Sequence, residues 1–460
     1  METQESLSFW QKNKLVLKAC FIGFLILALL IPTFFIMFLV TDREQRRREV
    51  VQEVSSKWAG AQTLTGPFLA IPYFEIQKDE KSQAVTKKKY LFLLPEELNI
   101  DGVIHPQIRH RSIFNVPVYT SNMQLSGKFK INKPEKLPVA VSALHFDEAL
   151  VCLGISDFKG IGENLQLKWN DSVSNFETGI PEIDWLNEGV SNPIKLAADE
   201  LVSGNNNFKI SLSLKGSERL YVTPFGNSTK VHFESNWTNP AFDGKYLPDT
   251  NTVNKKGFIA DWKILQFNRN YPQAFTYLGS SMIAESAFGI NLLQPVDAYG
   301  QTMRSVKYAV LIIALTFFVY FFLEIFYRRS VHPLQYILIG FALVIFYTLL
   351  LSISEYLQFG LAYLVAAAAT VILISWYTLG IFKKWSIVLL FGFILSLLYL
   401  FIYTIIQLQD DALLFGSIGL FVLLSIIMYF SRKINWNNNG KIIESNAGST
   451  VHYKKYPENE

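Results

Sequence analysis

Long apolar runs lie near both ends of this chain of 460 residues, and a polar stretch separates them. A bilayer core about 30 Å thick needs roughly 20 apolar residues in a helix, because each residue rises about 1.5 Å. Six runs meet that length: 19–40, 308–327, 334–353, 359–382, 385–406 and 412–430. The pattern therefore predicts six transmembrane helices, an N-terminal anchor followed by a C-terminal bundle of five.

The polar stretch changes to short alternating runs after residue 64. In the clearest run, 208–216, apolar side chains occupy alternate positions and Lys or Ser stands between them. This alternation is typical of a strand with one buried face. Other short apolar or alternating runs occupy 68–77, 89–94, 149–156, 165–169 and 230–237. Since Pro and Gly clusters separate the runs, we predict a large, mainly antiparallel β domain.

Residues between the first apolar run and the β stretch have a helical period. Val50, Val54 and Trp58 recur at four-residue spacing, and Gly60 ends the pattern. That spacing predicts an amphipathic stalk helix that continues from the membrane. The predicted α+β membrane protein has its N-terminus and first span at 1–40, stalk and β domain at 41–305, bundle at 306–431 and a polar tail at 432–460.

Composition agrees with a membrane protein and excludes some functions. Charged residues make up 17% of the chain, against roughly 25% in soluble domains. The net charge of +4 is small and the Lys and Arg residues are dispersed, so nothing supports nucleic-acid binding. Cys20 lies in an apolar run and Cys152 in the distant polar stretch, so we predict no disulfide.

Charges in the short loops predict which side of the membrane each loop faces, because Lys and Arg mark the cytoplasmic side. Basic pairs alternate with acidic loops: Arg328 and Arg329, Lys383 and Lys384, and Arg432 and Lys433 alternate with Glu355, Asp410 and Asp411. We therefore expect both termini to be cytoplasmic and 41–305 to lie on the opposite side. The Arg cluster within 43–48 disagrees, and we give more weight to the short loops.

Glu324 is the one charged residue within the six apolar runs. It stands four residues before Arg328, a spacing that places both side chains on one helix face near the end of the span. We interpret Glu324 as a paired carboxylate at the membrane interface. The alternative is a functional group, since ionisable residues inside membranes commonly handle protons or ions. His332 has no His, Cys or Asp at metal-ligand spacing, so we expect no metal site.

Two further groups are candidate functional residues. Glu355 follows the third predicted span, and with Glu324 and the serines of spans three to five it would line a cavity if the bundle transports a solute. Trp237 and Phe242 belong to the aromatic loop 235–248, which is either a recognition surface or packed against the sheet. Packing is the favoured interpretation, because aromatic side chains are mostly buried.

No catalytic signature accompanies these residues. The chain has no HExxH, GxSxG or Walker A motif and no complete GxGxxG. A hydrolase would require scattered carboxylates to converge in three dimensions, for example Asp147, Asp157, Asp243 and Asp261. We therefore expect a protein that is not an enzyme and that holds no cofactor and no metal.

Several stretches of the sequence are distinctive: TGPFLAIP (65–72), LPEELNIDG (94–102), RSIFNVPVY (111–119), ISDFKGI (155–161), GFIADW (257–262) and HPLQYILIGFALVIFYTLLLSISE (332–355). They resemble the corresponding stretches of the CreD family of inner-membrane proteins. The resemblance implies a Gram-negative inner-membrane protein with its β domain in the periplasm. It also implies links to cell envelope integrity, to a β-lactam response and to colicin tolerance, without established site residues to carry over.

The expected function is interaction without catalysis. The β domain would bind an envelope protein or a cell-wall component, while the helices anchor it in the lipid bilayer. The alternative expectation is a transporter or channel for a small solute or lipid that uses the C-terminal bundle.

Overall fold

The computed structural model describes residues 14–78, 84–204, 206–292, 298–327, 329–408 and 412–432. The chain forms two compact units. One comprises Met1–Gln45 with Val296–Glu460, and we call it the membrane unit; the other, Arg46–Pro295, is the β domain. Parts of the predicted loops and tail lie outside the described residues: Arg328, Asp410, Asp411, Lys433 and the remaining tail at 434–460.

Apolar helices build the membrane unit. The α-helices of the described chain are α1 (Lys14–Trp58), α2 (Ala198–Ser203), α3 (Ser280–Ala284), α4 (Ala298–Lys307), α5 (Ala309–Phe326), α6 (Pro333–Ser354), α7 (Phe359–Phe382), α8 (Trp385–Gln407) and α9 (Ala412–Ser431). Within the described residues, α1 and α5 to α8 are long and apolar enough to cross a membrane, and α9 is a further apolar helix. Each predicted run is therefore helical. Helix α1 continues without a break through the residues of the predicted stalk, to Trp58.

The anchor helix α1 packs closely against α6. A Cβ atom built on Gly340 of α6 would come within 2.3 Å of a methyl carbon of Leu29, which is buried. The missing side chain lets the two helices approach, which is the usual role of small residues between membrane helices. Pro333 begins α6, where a missing N–H costs nothing because the first turn has no partner for it.

Two mixed sheets build the β domain. Its strands are β1 (Gln62–Lys78), β2 (Ala84–Leu93), β3 (Glu97–Arg111), β4 (Phe114–Phe129), β5 (Leu150–Ile155), β6 (Gln166–Trp169), β7 (Ser172–Asn175), β8 (Glu177–Thr178), β9 (Gly189–Pro193), β10 (Asn206–Ser217), β11 (Arg219–Val222), β12 (Ser228–Ser235), β13 (Ala241–Gly244), β14 (Thr250–Asn254), β15 (Gly257–Leu265), β16 (Ala274–Phe275) and β17 (Phe288–Asn291). The first sheet has the order β13-β17-β11-β1-β5-β9-β8, with β2 pairing β1 and β16. The second has the order β14-β15-β12-β3-β4-β10-β6-β7.

Strand pairing is mainly antiparallel, as predicted. Among the described pairs, β1 with β11 and β3 with β12 are parallel. One apolar cluster contains residues of both sheets, such as Phe68 of β1 and Phe233 of β12. Alternate residues of the second sheet enter this core, so the residues between them face solvent. The cysteines Cys20 and Cys152 are free, as predicted.

Candidate functional site

Glu324 is the centre of a nearly buried polar cluster near the C-terminal end of α5. Its carboxylate forms an ion pair with Lys18 of α1. It also accepts hydrogen bonds from the Tyr336 hydroxyl at 3.0 Å and from the Val331 backbone N–H at 3.2 Å. The side chains of Glu324 and Lys18 are 12% and 19% exposed. Glu324 is therefore paired, but with Lys18, while the expected partner Arg328 lies outside the described residues.

His332 caps the N-terminus of α6. Its Nδ1 accepts a hydrogen bond from the Leu334 N–H at 3.3 Å, and Gln335 Oε1 accepts one from the His332 N–H at 2.9 Å. This reciprocal arrangement satisfies N–H groups that the start of a helix leaves without partners. In the described part of the chain, no group of three or more His, Cys, Asp or Glu side chains could hold a metal ion. Capping accounts for the position of His332.

Glu355 directly follows α6, at the opposite end of that helix from His332. The Tyr299 hydroxyl of α4 donates to Glu355 Oε1 at 3.2 Å, and Arg43 Nε of α1 lies 3.8 Å from the same oxygen. The Glu355 side chain is 10% exposed and that of Arg43 is 46% exposed. Arg43 belongs to the Arg cluster that disagreed with the loop charges. The ion pair with Glu355 is a local reason for a cation at position 43 of α1.

The two ion pairs lie at opposite ends of the apolar part of α1. Lys18 and Arg43 are separated by about 38 Å of helix rise, compared with a bilayer core of about 30 Å. Each cation pairs with a carboxylate of the C-terminal helices. The two carboxylates that a transport pathway would use, Glu324 and Glu355, are therefore both engaged with the anchor helix.

Trp237 and Phe242 pack against the β domain. Both side chains contact its apolar core. The Phe242 ring lies 5.8 Å from the Phe258 ring and 5.9 Å from the Trp262 ring, both in edge-to-face geometry. Trp237 Nε1 donates to the Asn239 carbonyl at 3.0 Å within its own loop. These contacts support the packing interpretation over a recognition surface.

A groove of about 620 Å³ lies on the second sheet, where β3, β12 and β15 are neighbours. Strand register brings Asp101, His232 and Asp261 into one cross-strand row. His232 Nδ1 lies 2.7 Å from Asp261 Oδ1, and the Thr250 hydroxyl donates to Asp261 Oδ2 at 3.2 Å. When Nδ1 carries the ring hydrogen, it donates to Asp261 Oδ1, and Nε2 is then the ring nitrogen that can accept a hydrogen bond from a ligand.

Four exposed lysines form a row across the same face of the sheet. In strand order this row consists of Lys263, Lys230, Asn99, Ser126, Lys209 and Lys168. Its four lysines, which we call the lysine row, form no ion pair within the described chain. Lys230 stands directly opposite Lys263, and Lys209 opposite Lys168. Like charges placed opposite each other destabilise a sheet, so an anionic partner would stabilise this surface.

The carboxylates that a hydrolase would require have separate partners. The Tyr221 hydroxyl donates to Asp243 at 2.7 Å and lowers the pKa of that carboxyl. Asp157 accepts a hydrogen bond from the Gly60 N–H at 2.9 Å. Asp147 is exposed in the short 3-10 turn Phe146–Glu148 and is not part of the groove lining. Among these four, the groove contains Asp261 alone.

The family is shown by sequence comparison. The family described as inner membrane protein CreD matches residues 14–437. The chain belongs to the CreD family. The inner membrane protein CreD of Escherichia coli (strain K12) is 31% identical over 416 residues, which cover 89% of this chain and 91% of that protein. The chain is therefore a multi-pass protein of the inner membrane, and its apolar helices contact the lipid bilayer.

The similarity to a solved structure is too weak to bear on the fold or the chemistry of this chain. An M1 zinc metallopeptidase mutant from Deinococcus radiodurans matches with a TM-score of 0.19 and 8% identity, over 37% of this chain and 39% of that chain. Such a low score does not indicate a shared fold. Membership of the CreD family rests on the sequence match alone.

The partner cations, the groove and the lysine row were not predicted from the sequence. A weak signal exists for the lysine row, because Lys209 and Lys230 occupy polar positions of alternating runs. That signal does not say which strands are neighbours. The parallel pairing of β3 with β12, which brings Asn99 beside Lys230, has no counterpart in the sequence pattern.

Proposed function

We propose that this CreD-family protein acts without catalysis, by binding an anionic component of the cell envelope through its β domain. The observation that carries the proposal is the lysine row beside the groove of His232 and Asp261. By this binding the protein contributes to envelope integrity and to responses such as colicin tolerance and the β-lactam response.

The length of the lysine row indicates the kind of partner. Lys263 on β15 and Lys168 on β6 are five strands apart in the second sheet. At about 4.8 Å between neighbouring strands, the row is roughly 24 Å long. An extended partner with several acidic groups matches this length better than a single small anion does. Envelope polymers and acidic protein segments both have that form.

The proposal places the β domain in the periplasm and both termini in the cytoplasm. Support comes from Arg329, Lys383 and Lys384, which lie in short loops where cations mark the cytoplasmic side. Thiol labelling of intact cells tests this orientation in a chain whose native cysteines are replaced by Ala. An impermeant reagent is expected to label Lys195→Cys and not Lys383→Cys. The reverse pattern would refute a periplasmic β domain.

Charge removal on the lysine row tests the binding function. The double variant Lys230→Gln with Lys263→Gln is expected to lose colicin tolerance and β-lactam response in a strain without the chromosomal gene. The control, Lys133→Gln with Lys195→Gln, removes two exposed lysines elsewhere in the β domain and is expected to keep both. Membrane abundance is measured for each. Equal phenotypes for the two double variants would contradict the proposal.

A photo-crosslinking residue at position 232 tests contact with a partner directly. We expect a crosslinked adduct from position 232, with a yield that falls as the salt concentration rises. No adduct is expected from position 195, because the groove contains His232 while Lys195 lies outside it.

A substitution at His232 separates binding from catalysis. His232→Gln retains hydrogen-bonding groups but cannot transfer a proton as imidazole does. Loss of function in that variant, with the partner still bound, would favour an enzyme instead.

A further inference from the structure

Two buried hydroxyls of α4 lack the hydrogen-bond partners that the buried threonines of α5 and α7 have. In α5 and α7, Thr316, Thr370 and Thr378 each donate to the carbonyl four residues earlier, at 2.7, 2.9 and 2.6 Å. Such back-bonding satisfies a hydroxyl inside an apolar helix. Thr302 and Ser305 of α4 are fully buried, and neither hydroxyl has a hydrogen-bond partner in the described chain.

Two neighbouring side chains on α4 show the same deficiency. Gln301 Oε1 and Arg304 Nε are buried and have no hydrogen-bond partner among the described residues. Four orphaned polar atoms therefore lie on a helix of 10 residues. An unsatisfied buried polar group destabilises the folded state, and lipid offers no water to replace the missing partner. This concentration indicates that a ligand supplies the missing partners.

Arg304 determines the charge of that ligand. Its side chain is half-buried and forms no ion pair within the described residues. The carboxylates Glu324 and Glu355 already have Lys18 and Arg43 as partners. A guanidinium removed from water needs an anion, and its planar fork matches phosphate or carboxylate.

The position of α4 favours a lipid as the source of that anion. Tyr299 of α4 donates to Glu355, so α4 begins at the same end of the membrane unit as the C-terminal end of α6. Arg304 lies five residues further, at most about 8 Å of helix rise from Tyr299. Lipid headgroups lie at the ends of membrane spans, so Arg304 is close enough to this end of the unit for contact with a headgroup. Exposed apolar side chains then continue along α5, including Val310 and Phe318, where an acyl chain can lie.

We propose that α4 forms a binding site for the phosphate-bearing headgroup of a membrane lipid. The Arg304 guanidinium pairs with the phosphate, the hydroxyls of Thr302 and Ser305 donate to its oxygens, and Gln301 Oε1 accepts from a headgroup hydroxyl or amine. The site lies in the membrane unit, so it is independent of the lysine row and of the function proposed for the β domain.

Ligand-dependent thermal stability of the purified full-length protein tests the site. A short-chain phosphatidylglycerol, added to protein in a neutral detergent, is expected to raise the unfolding temperature, because a ligand that binds the folded state stabilises it. Inorganic phosphate is the second arm and is expected to give no shift at millimolar concentration. A shift with phosphate and none with the lipid would overturn the assignment to a lipid.

Matched variants on one helix make the test specific. Arg304→Gln is expected to weaken phosphatidylglycerol binding at least about tenfold, since hydrogen bonds to charged groups contribute about 1.5–3 kcal/mol. Lys307→Gln removes the same charge from an exposed position on α4 and is expected to change binding by less than about twofold. Equal losses in the two variants would indicate a general surface charge effect and would refute the site.

A third variant covers the case in which Arg304→Gln does not fold. Thr302→Val replaces the orphaned hydroxyl by a methyl group of similar shape. We expect it to raise the unfolding temperature without lipid and to reduce the shift that phosphatidylglycerol produces, because the hydroxyl has no partner until the ligand binds. A structural hydroxyl would give a lower unfolding temperature and an unchanged shift, and that result would contradict the proposal.

Discussion

Glu324 and Glu355 are two nearly buried carboxylates that pair with the same helix in different ways. Glu324 is in contact with Lys18 and accepts from the Tyr336 hydroxyl and the Val331 N–H. Glu355 accepts from the Tyr299 hydroxyl at 3.2 Å, and its cation, Arg43, stands 3.8 Å away. The exposed fractions of the two carboxylates are similar, at 12% and 10%, so burial does not distinguish them.

The difference shows what makes a buried ion pair stabilising. Removing a carboxylate and an ammonium from water costs several kcal/mol per ion, and Coulomb attraction offsets this only when hydrogen bonds satisfy the remaining lone pairs. The Glu324 cluster meets that condition because Lys18 also donates to the Val331 carbonyl at 2.7 Å. The Glu355 pair does not meet it as fully, and Arg43 is half in solvent. We infer that Glu324 fixes α1 to the bundle and that Glu355 holds it more loosely.

Neutralising Glu324 is expected to have the largest effect. Glu324→Gln leaves the Lys18 ammonium without a carboxylate, and we expect the free energy of unfolding to fall by about 3 kcal/mol, the lower end for a broken buried pair. Denaturant unfolding in mixed micelles measures it. Glu355→Gln is the matched control and is expected to cost less than half as much. Loss of cellular function in Glu324→Gln without loss of stability would favour the transporter alternative.

Double substitution of the ion pair is expected to recover stability. Lys18→Met alone leaves Glu324 uncompensated, whereas Lys18→Met with Glu324→Gln removes both charges. We expect the double variant to be more stable than the sum of the single effects predicts, by roughly 2 kcal/mol. The corresponding cycle of Arg43→Met with Glu355→Gln serves as the comparison. Equal coupling energies in the two cycles would show that the added hydrogen bonds at Glu324 do not matter.

The apolar helices could be predicted from the sequence almost to the residue. The run 359–382 coincides with α7, and the other runs differ from their helices by a few residues, apart from α1, which includes the stalk. A membrane imposes a minimum length and excludes charge, so composition alone locates a span. No such constraint applies to α4, which has five polar or charged side chains in seven positions from Gln301 to Lys307 and was not predicted.

Regular alternation located one long strand, and a hairpin with interrupted alternation was missed. The run 208–216 belongs to β10, and its alternate residues are buried as expected. The hairpin of β3 and β4 was missed, although Leu98, Ile100 and Ile104 occupy buried alternate positions. Gly102 and Pro106 interrupt that pattern, and both residues usually argue against a strand interior.

The sequence identified Glu324 as a candidate residue, but it did not identify the residues that contact Glu324. Glu324 was identifiable because a single charge in an apolar run is rare. Its partner Lys18 is 306 residues away, so no local spacing points to it. Arg328, the partner suggested by four-residue spacing, lies outside the described residues. The row of Asp101, His232 and Asp261 could not be predicted either, because strand register alone brings those residues together.

Removing the tyrosine hydroxyls that donate to the two carboxylates is expected to have a smaller effect on stability. Tyr336→Phe removes the hydroxyl that donates to Glu324, and we expect a loss of about 1 kcal/mol in the free energy of unfolding, as for a single hydrogen bond. Tyr299→Phe removes the corresponding donor to Glu355. We expect the loss to be smaller there, because that hydrogen bond is longer, 3.2 Å compared with 3.0 Å at Glu324. A larger loss of stability in Tyr299→Phe than in Tyr336→Phe would show that Glu355, and not Glu324, holds α1 more tightly.

The smallest effect is expected for the most exposed member of the two pairs. Arg43→Gln should lower the free energy of unfolding by less than about 1 kcal/mol, because its side chain is 46% exposed and solvent and salt screen the pair. Raising the salt concentration should remove even this effect while leaving the cost of Lys18→Met nearly unchanged, since nearly buried charges are screened less. Parallel salt titrations of the two variants measure the difference. If both lose their effect in salt, the Lys18 pair is as accessible to water as the Arg43 pair, and the tight anchoring of α1 at Glu324 is refuted.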